Sequence, residues 1–369
     1  MKLKCVQENL NQGVGIVSNI ASKNTNLLIL NNILLKAGDG LLSLIATNLE
    51  IGVVCNIRAK IEQEGKFTVP ASIFSNYINL LSGGNVDVEL EGKEVVIKSG
   101  KQETKIKGET VDEFPIIPEI DKKNGYECTS EDIIKAFSNV SIAASLDETR
   151  PEISGVLLNF NKDKLVVAAT DSYRLAEKKL SCKSEEDEEK NVIVPQKTIL
   201  EVIRICSIYK PERFLMFLSD NQIMFDLGDV MITSRLIEGE YPDYKQIIPN
   251  NEKTKIVMNR EEFIKVIKTA SLFSKSGIND VNLYFSKDNE EVVVSAVNTQ
   301  LGENKNKISA EISGEDNDIV FNYRYLLDGL VNINSEKIVL KIIDNGNPGV
   351  FLPDTEENDY IYIVMPIKQ

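Results

Sequence analysis

One pattern occurs three times along this chain, and it limits the possible folds more than any other feature. The clearest copy spans residues 153–180, ISGVLLNFNKDKLVVAATDSYRLAEKKL: an alternating apolar strand, a polar turn, a second apolar strand, then a Thr- or Asn-containing exit. Residues 30–53 and 281–302 repeat it. Self-similarity at a period far longer than that of solenoid repeats means duplicated domains. A chain of 369 residues is expected to form two or three of them, because single cores stop growing well short of that length.

The flanks of each copy repeat as well. Leu10, Val14, Val17 and Ala21 recur at helical spacing before the first, Ile133, Phe137, Val140 and Ala144 before the second, and Phe263, Ile267 and Ala270 before the third. One apolar stripe per helix means that each helix lies on a core rather than inside it. Cys5, Cys128 and Met258 hold matching places in the strands that open each unit. After each hairpin a strand leads into a second helix: FTVPASIFSNYINLL, VIVPQKTILEVIRIC and IVFNYRYLLDGLVNI. Pro70 and Pro195 sit where those helices begin, a place that tolerates a missing N–H, and Asn322 is a cap in the third. Strands of period two close each unit. The class is therefore α+β, with three repeated domains, each of two helices on antiparallel sheets. Phe114-Pro115 and Tyr241-Pro242 each run on to an Ile-Ile-Pro, so the linkers were duplicated too. The expected domains are 1–121, 122–250 and 251–369.

Little here points to catalysis. There is no histidine, which removes the commonest general base and metal ligand. Five cysteines form no CxxC or other close pair, and read as reduced core thiols rather than as a zinc site or a disulfide frame. Gly13 and Gly15 make a GxG inside a helix, not after a strand, and Walker A, GxSxG and HExxH are missing. A carboxylate-only metal site at Asp171 stays open, although Asp171 beside Arg174 reads more simply as a structural pair. The start MKLKCVQENLNQG turns polar where a secretory signal needs an apolar core, and no apolar run is long enough to span a bilayer. A cytoplasmic location, away from membranes, is expected.

The net charge of -14 argues against a nucleic-acid partner, but partners feel local fields and not sums. Acid concentrates in loop runs such as 315–318, while several helices carry lysine and arginine. Two other stretches look like surface with a purpose. ATDSYRLA should end its strand abruptly, leaving Thr170, Ser172, Tyr173, Arg174 and Leu175 at a corner. The tail YIVMPIKQ leaves Met365, Pro366 and Ile367 at a chain end. Apolar groups so placed cover one another or wait for a partner.

At these residues the chain resembles the beta subunit family of bacterial DNA polymerase III, the sliding clamps. The resemblance runs the full length: the three-fold repeat, Ala169-Thr170-Asp171 with Arg174-Leu175-Ala176, Val194-Pro195, Tyr241-Pro242-Asp243-Tyr244 and Val364-Met365-Pro366. It implies a non-catalytic DNA polymerase processivity factor needing no cofactor or metal. Two chains would join head to tail as a homodimer, six domains closing a ring that slides on double-stranded DNA of any sequence. A separate ATPase clamp loader would place it there.

The resemblance further implies a peptide pocket between the central and C-terminal domains, shared by the polymerase catalytic subunit and repair proteins with a clamp-binding motif. Its walls would be Ile153, Thr170, Ser172, Tyr173, Arg174 and Leu175, then Pro242 and Ile247, then Asn322 and Tyr325, then Ile363, Met365, Pro366 and Ile367. Leu175, Ile247 and Met365 would form the floor. Two or three apolar anchors at about 1.5–3 kcal/mol each, less the cost of ordering a tail, imply exchangeable binding near micromolar. Ser172-Tyr173 stands where the family often has Gly-His, and Lys368-Gln369 where it often has a basic residue and Leu. Lys23, Asn24, Lys135, Arg150, Lys197 and Arg204 would face DNA. Ile73, Tyr77 and Leu81 of one chain would meet Leu272 and Phe273 of the other. A monomeric three-domain adaptor is the other arrangement these repeats allow.

Overall fold

The computed structural model describes residues 1–21, 27–118, 120–147, 149–185, 188–357 and 359–368. The first repeat runs β1 (Lys2–Val6), α1 (Gln7–Val17), β2 (Asn32–Gly38), β3 (Leu41–Thr47), β4 (Ile51–Gln63), β5 (Gly65–Pro70), α2 (Ala71–Asn79), β6 (Asn85–Glu91), β7 (Glu94–Ser99) and β8 (Gln102–Lys107). The second runs β9 (Tyr126–Cys128), α3 (Ser130–Ser141), β10 (Gly155–Asn161), β11 (Lys164–Thr170), β12 (Arg174–Ser181), β13 (Lys190–Pro195), α4 (Gln196–Tyr209), β14 (Phe214–Leu218), β15 (Gln222–Asp226) and β16 (Val230–Arg235). The third runs β17 (Thr254–Asn259), α5 (Arg260–Ser271), β18 (Asp280–Ser286), β19 (Glu291–Asn298), β20 (Gly302–Gly314), β21 (Asn317–Asn322), α6 (Tyr323–Asn332), β22 (Lys337–Ile342), β23 (Gly349–Pro353) and β24 (Tyr360–Val364).

The pairing repeats with the order. The second to fourth strands of each repeat form an antiparallel meander, and the fifth returns beside the second. The last three form another meander, reached through the opening strand: β1 pairs β6, β9 pairs β14 and β17 pairs β22. Alternation decides which face each residue takes. On β4, Val53 and Cys55 are buried on one face, while Val54 and Asn56 on the other are half-exposed. The expected helix stripes are buried at Leu10, Val14 and Val17, at Ile133, Phe137 and Val140, and at Phe263, Ile267 and Ala270. Ala21 and Ala144 fall beyond their helices, which stop at Val17 and Ser141. Pro70 and Pro195 are the last residues of β5 and β13, so the missing N–H falls just before the helix. Asn322 caps α6, its Oδ1 accepting from the Arg324 N–H at 3.0 Å.

The chain gathers into two compact units. The first holds Met1–Glu131, Cys182–Asp187 and Glu201–Leu236, and the second holds Asp132–Ser181, Glu188–Leu200 and Ile237–Gln369. Each contains one continuous sheet with a seam where two repeats meet. In the first unit β4 pairs β16, Ile51 opposite Ser234 through Cys55 opposite Val230. In the second, β12 pairs β24, Arg174 opposite Val364 through Lys178 opposite Tyr360. The rule is the same at both seams: the fourth strand of one repeat takes the eighth strand of the next.

All five cysteines are buried and none forms a disulfide, and burial pushes the Cys5, Cys55 and Cys206 thiols up to about 12. No helix among the described residues is long and apolar enough to cross a membrane.

Candidate functional site

The corner between β11 and β12 is built by its own short side chains. Thr170 Oγ1 accepts from the Ser172 N–H at 3.1 Å and donates to the Arg174 carbonyl at 2.7 Å. Asp171 Oδ1 accepts from the N–H groups of Tyr173 and Arg174, both at 2.9 Å. These bonds hold Ser172 at φ 76°, left-handed backbone that costs a residue with a Cβ about 1–2 kcal/mol. That is the physical reason glycine suits this position, and here the Thr170 and Asp171 bonds meet the cost.

Arg174 ties the corner to α6. Its Nε donates to Asp171 Oδ2 at 3.0 Å, its Nη1 pairs with Asp328, and its guanidinium lies 4.7 Å over the Tyr325 ring. Tyr173 stacks on Tyr325 with centroids 6.3 Å apart, so two phenol rings and a cation form one column. Such a cation–π contact contributes about 0.5–2 kcal/mol. Burial first, then the Asp171 carboxylate, raises the Tyr325 hydroxyl above its usual range. Arg150 Nη1 donates to Ser172 Oγ at 2.9 Å.

The tail completes the site. The Met365 N–H donates to the Tyr173 carbonyl and the Ile367 N–H to the Val320 carbonyl, both at 2.8 Å. Met365, Pro366 and Ile367 are half-buried. The structure therefore brings Thr170, Ser172, Tyr173, Arg174, Tyr325 and Met365 together. Tyr173 is 62% exposed and Ile247 41%, and Pro242 is exposed. Leu175 and Ile363 differ from expectation: both are fully buried in a cluster with Leu157, Ala168, Tyr244 and Val350. Ile153 is likewise buried, and its carbonyl accepts from the Ser145 N–H at 2.9 Å.

Both Asp171 oxygens are occupied within the loop, and among the described residues no three His, Cys, Asp or Glu side chains stand together as a metal site. The basic residues divide. Lys135 and Lys197 are exposed on α3 and α4. Lys23 and Asn24 lie outside the described residues. Arg204 pairs with Glu201 and donates to the carbonyls of Gly15 at 3.1 Å and Ile16 at 2.6 Å, so its charge is spent on the end of α1. Arg150 belongs to the corner just described. On α1 and α2 the side chains of Asn9, Asn11, Gln12, Asn76 and Asn79, with Glu8, line one open groove. Amides contact phosphates without reading sequence.

On α2, Ile73 is 59% exposed, while the Tyr77 hydroxyl is buried without a partner among the described residues. Leu81 does not share that outward face. The helix ends at Asn79, Leu81 turns into the core at 6% exposure, and Leu80 stands out at 78%. Leu272 is 69% exposed, and a Cβ on Gly302 would lie 3.9 Å from the Phe273 ring, which puts Phe273 beside the start of β20.

A threefold repeat of eight strands and two helices defines a three-domain fold of the clamp type. Models of the DNA polymerase III beta subunit match it in three consecutive parts, N-terminal domain at 1–118, central domain at 127–243 and C-terminal domain at 245–368. The chain belongs to the DNA polymerase III beta subunit family, the beta sliding clamps. It is 29% identical to the beta sliding clamp of Synechococcus elongatus, covering 100% of this chain and 99% of that one. It is 28% identical to that of Bacillus subtilis over the whole of both. Among solved structures, the beta subunit from Thermotoga maritima superposes with a TM-score of 0.93 at 27% identity, covering 100% of this chain and 99% of that one. The Bacillus subtilis sliding clamp gives 0.94 at 28%, with the same coverage.

Proposed function

We propose that two copies of this chain close head to tail into a ring of six clamp domains that encircles duplex DNA in the cytoplasm. The observation that carries the reading is the seam rule. Fourth strands take eighth strands at β4–β16 and β12–β24, which leaves β8 at the end of its sheet and the first half of β20 paired only to β19. These are the two edges that the same rule would join between chains, and open edges of this kind favour pairing. Ile73 and Leu80 in the first repeat and Leu272 in the third are exposed apolar side chains that such a junction could cover. An acidic chain can still hold DNA this way, because enclosure replaces affinity and weak phosphate contacts permit sliding.

The domains run 1–121, 122–250 and 251–369. The corner of Tyr173, Arg174, Tyr325 and Met365, with Ile247, receives linear peptides from the polymerase, the loader and repair proteins. Met365 suits several peptides because its unbranched chain adapts.

Two measurements test this. Sedimentation at micromolar concentration should give a dimer that Leu272→Asp converts to monomer; a monomeric parent protein supports the single-chain adaptor instead. Loaded protein should stay on circular DNA and be lost after linearisation. For the corner, deleting residues 365–369 should abolish binding of a polymerase tail peptide and leave the dimer intact, and unchanged affinity would remove the assignment.

A further inference from the structure

The two seams carry the same outward sheet face but are covered differently. At the second, Leu175 opposes Ile363 and Glu177 opposes Ile361. The linker fills the face above them with Tyr244, which is 6% exposed and donates to Glu177 Oε2 at 2.5 Å. Along the end of this linker lies a cavity of about 130 Å³.

At the first seam the matching pairs are Gly52 with Thr233 and Val54 with Met231. The linker is four residues shorter after its aromatic-Pro, FPIIP against YPDYKQIIP. Its Ile117 covers Gly52, where a Cβ would meet Cδ1 at 2.8 Å, but no residue corresponds to Tyr244. Phe114 packs at one end of the face against Leu34 and Ile45, and Ile120 at the other against Met224 and Met231. Between them, over Val54, lies a groove of about 880 Å³, within the range of ligand sites.

The groove has two parallel rows of side chains. Leu34, Ile45, Val54 and Met231 face one another across four strands and make an apolar row. Two residues along, Lys66, Lys36, Ser43 and Asn56 make a polar one. Lys36 and Lys66 stand directly opposite on β2 and β5, both exposed, and neither has an ion pair among the described residues. Like charges directly opposed destabilise a sheet. An anion between them would relieve that; Asp112 also lines the groove, but against Lys36 and Lys66 it leaves a net basic spot in a chain of net charge -14, one that an acidic group would find.

We propose that this groove is a docking site for a linear peptide of a partner protein, one that sets a tyrosine or phenylalanine over Val54 and an acidic residue against Lys36 and Lys66. The second seam shows which chemistry fits: there the chain itself supplies a tyrosine on the equivalent ground. The site is separate from the Tyr173–Tyr325 corner and does not depend on ring closure.

The probe is a fluorescein-labelled peptide Glu-Tyr-Pro-Asp-Tyr-Lys-Gln-Ile-Ile, copying residues 240–248. The full-length protein carries 13C-methyl methionine, whose six residues include Met224 and Met231 in the groove and Met365 at the corner. The expected result is saturable binding that shifts Met224 and Met231 and leaves Met365 unmoved. Joint Lys36→Glu and Lys66→Glu, both on exposed side chains, should weaken it about tenfold, as losing one charge-assisted contact would. A peptide with Ala for its second Tyr should fail to bind. Shifts at Met365 alone, absence of saturation, or indifference to the lysine changes would overturn the proposal. So would Met224 and Met231 shifts that grow with protein concentration without peptide, since the occupant would then be a second copy.

Discussion

The seam between the first two repeats and the seam between the last two are made by the same strands in the same register, yet one is sealed and the other open. At β12–β24 the linker lays Tyr244 over Leu175 and Ile363, and its hydroxyl serves a carboxylate that the sheet has buried. At β4–β16 the shorter linker reaches across on Phe114 and Ile120 and leaves Val54 beneath a groove. Strand pairing therefore joins the repeats, while the linker decides what surface each seam offers. A buried tyrosine turns one seam into a firm base for the Tyr173–Tyr325 corner; its lack at the other leaves room for a visitor.

Substitutions that exchange the two characters test this. Tyr244→Ala should have the largest effect, about 3–5 kcal/mol as for other buried aromatics cut to alanine, measured by denaturant unfolding. A loss below about 1 kcal/mol would mean that Tyr244 does not seal its seam. Tyr244→Phe keeps the ring but strands Glu177, whose remaining partner is Lys179 at 3.1 Å, and should cost about 1–3 kcal/mol.

The same residue gives a pH signature. Burial first, then the bond to Glu177, raises the Tyr244 hydroxyl above its usual range, so the fold prefers it protonated. Its contribution is complete below about pH 10, where unfolded tyrosine titrates, and falls as pH rises from there towards the folded value. Tyr244→Phe should flatten that alkaline slope, and an unchanged slope would assign it to other groups.

At the open seam, Gly52→Ala should cost about 1 kcal/mol as its methyl displaces Ile117. No cost would show that the linker lies loosely there. The smallest effect concerns Cys55, which sits opposite Val230 in that seam with its thiol pushed up to about 12 by burial. Iodoacetamide at pH 8 should leave it unmodified in the native protein and label it in denaturant. Rapid native labelling would mean that the seam itself opens, not only the ground above it.

Much of this was legible in the residues. Alternation in 153–180 and its two relatives announced the hairpins, and the stripes through Phe137 and Phe263 announced helices on a core, because each is a local period that burial on one face imposes. The corner was legible through Thr170, Asp171 and Arg174, whose side chains bond their own loop. What ATDSYRLA does not reveal is that Leu175 is fully buried in a cluster with Tyr244, far along the chain. Leu81 failed for a related reason: a stripe of Ile73, Tyr77 and Leu81 assumes a helix that in fact stops at Asn79. Arg204 is expected to face DNA, and its bonds to the carbonyls of Gly15 and Ile16 could not be foreseen because those partners are remote in sequence.

By itself, the order of residues determined three copies of one domain, the class of fold and the place of the recognition corner, because apolar periodicity and turn chemistry act between near neighbours. Only the tertiary structure decided which strand edges are left unpaired, which arginines are already engaged and which of two matching seams stays open. Those depend on how distant segments fill a shared space, and four residues more or less in a linker change the filling without disturbing any local pattern.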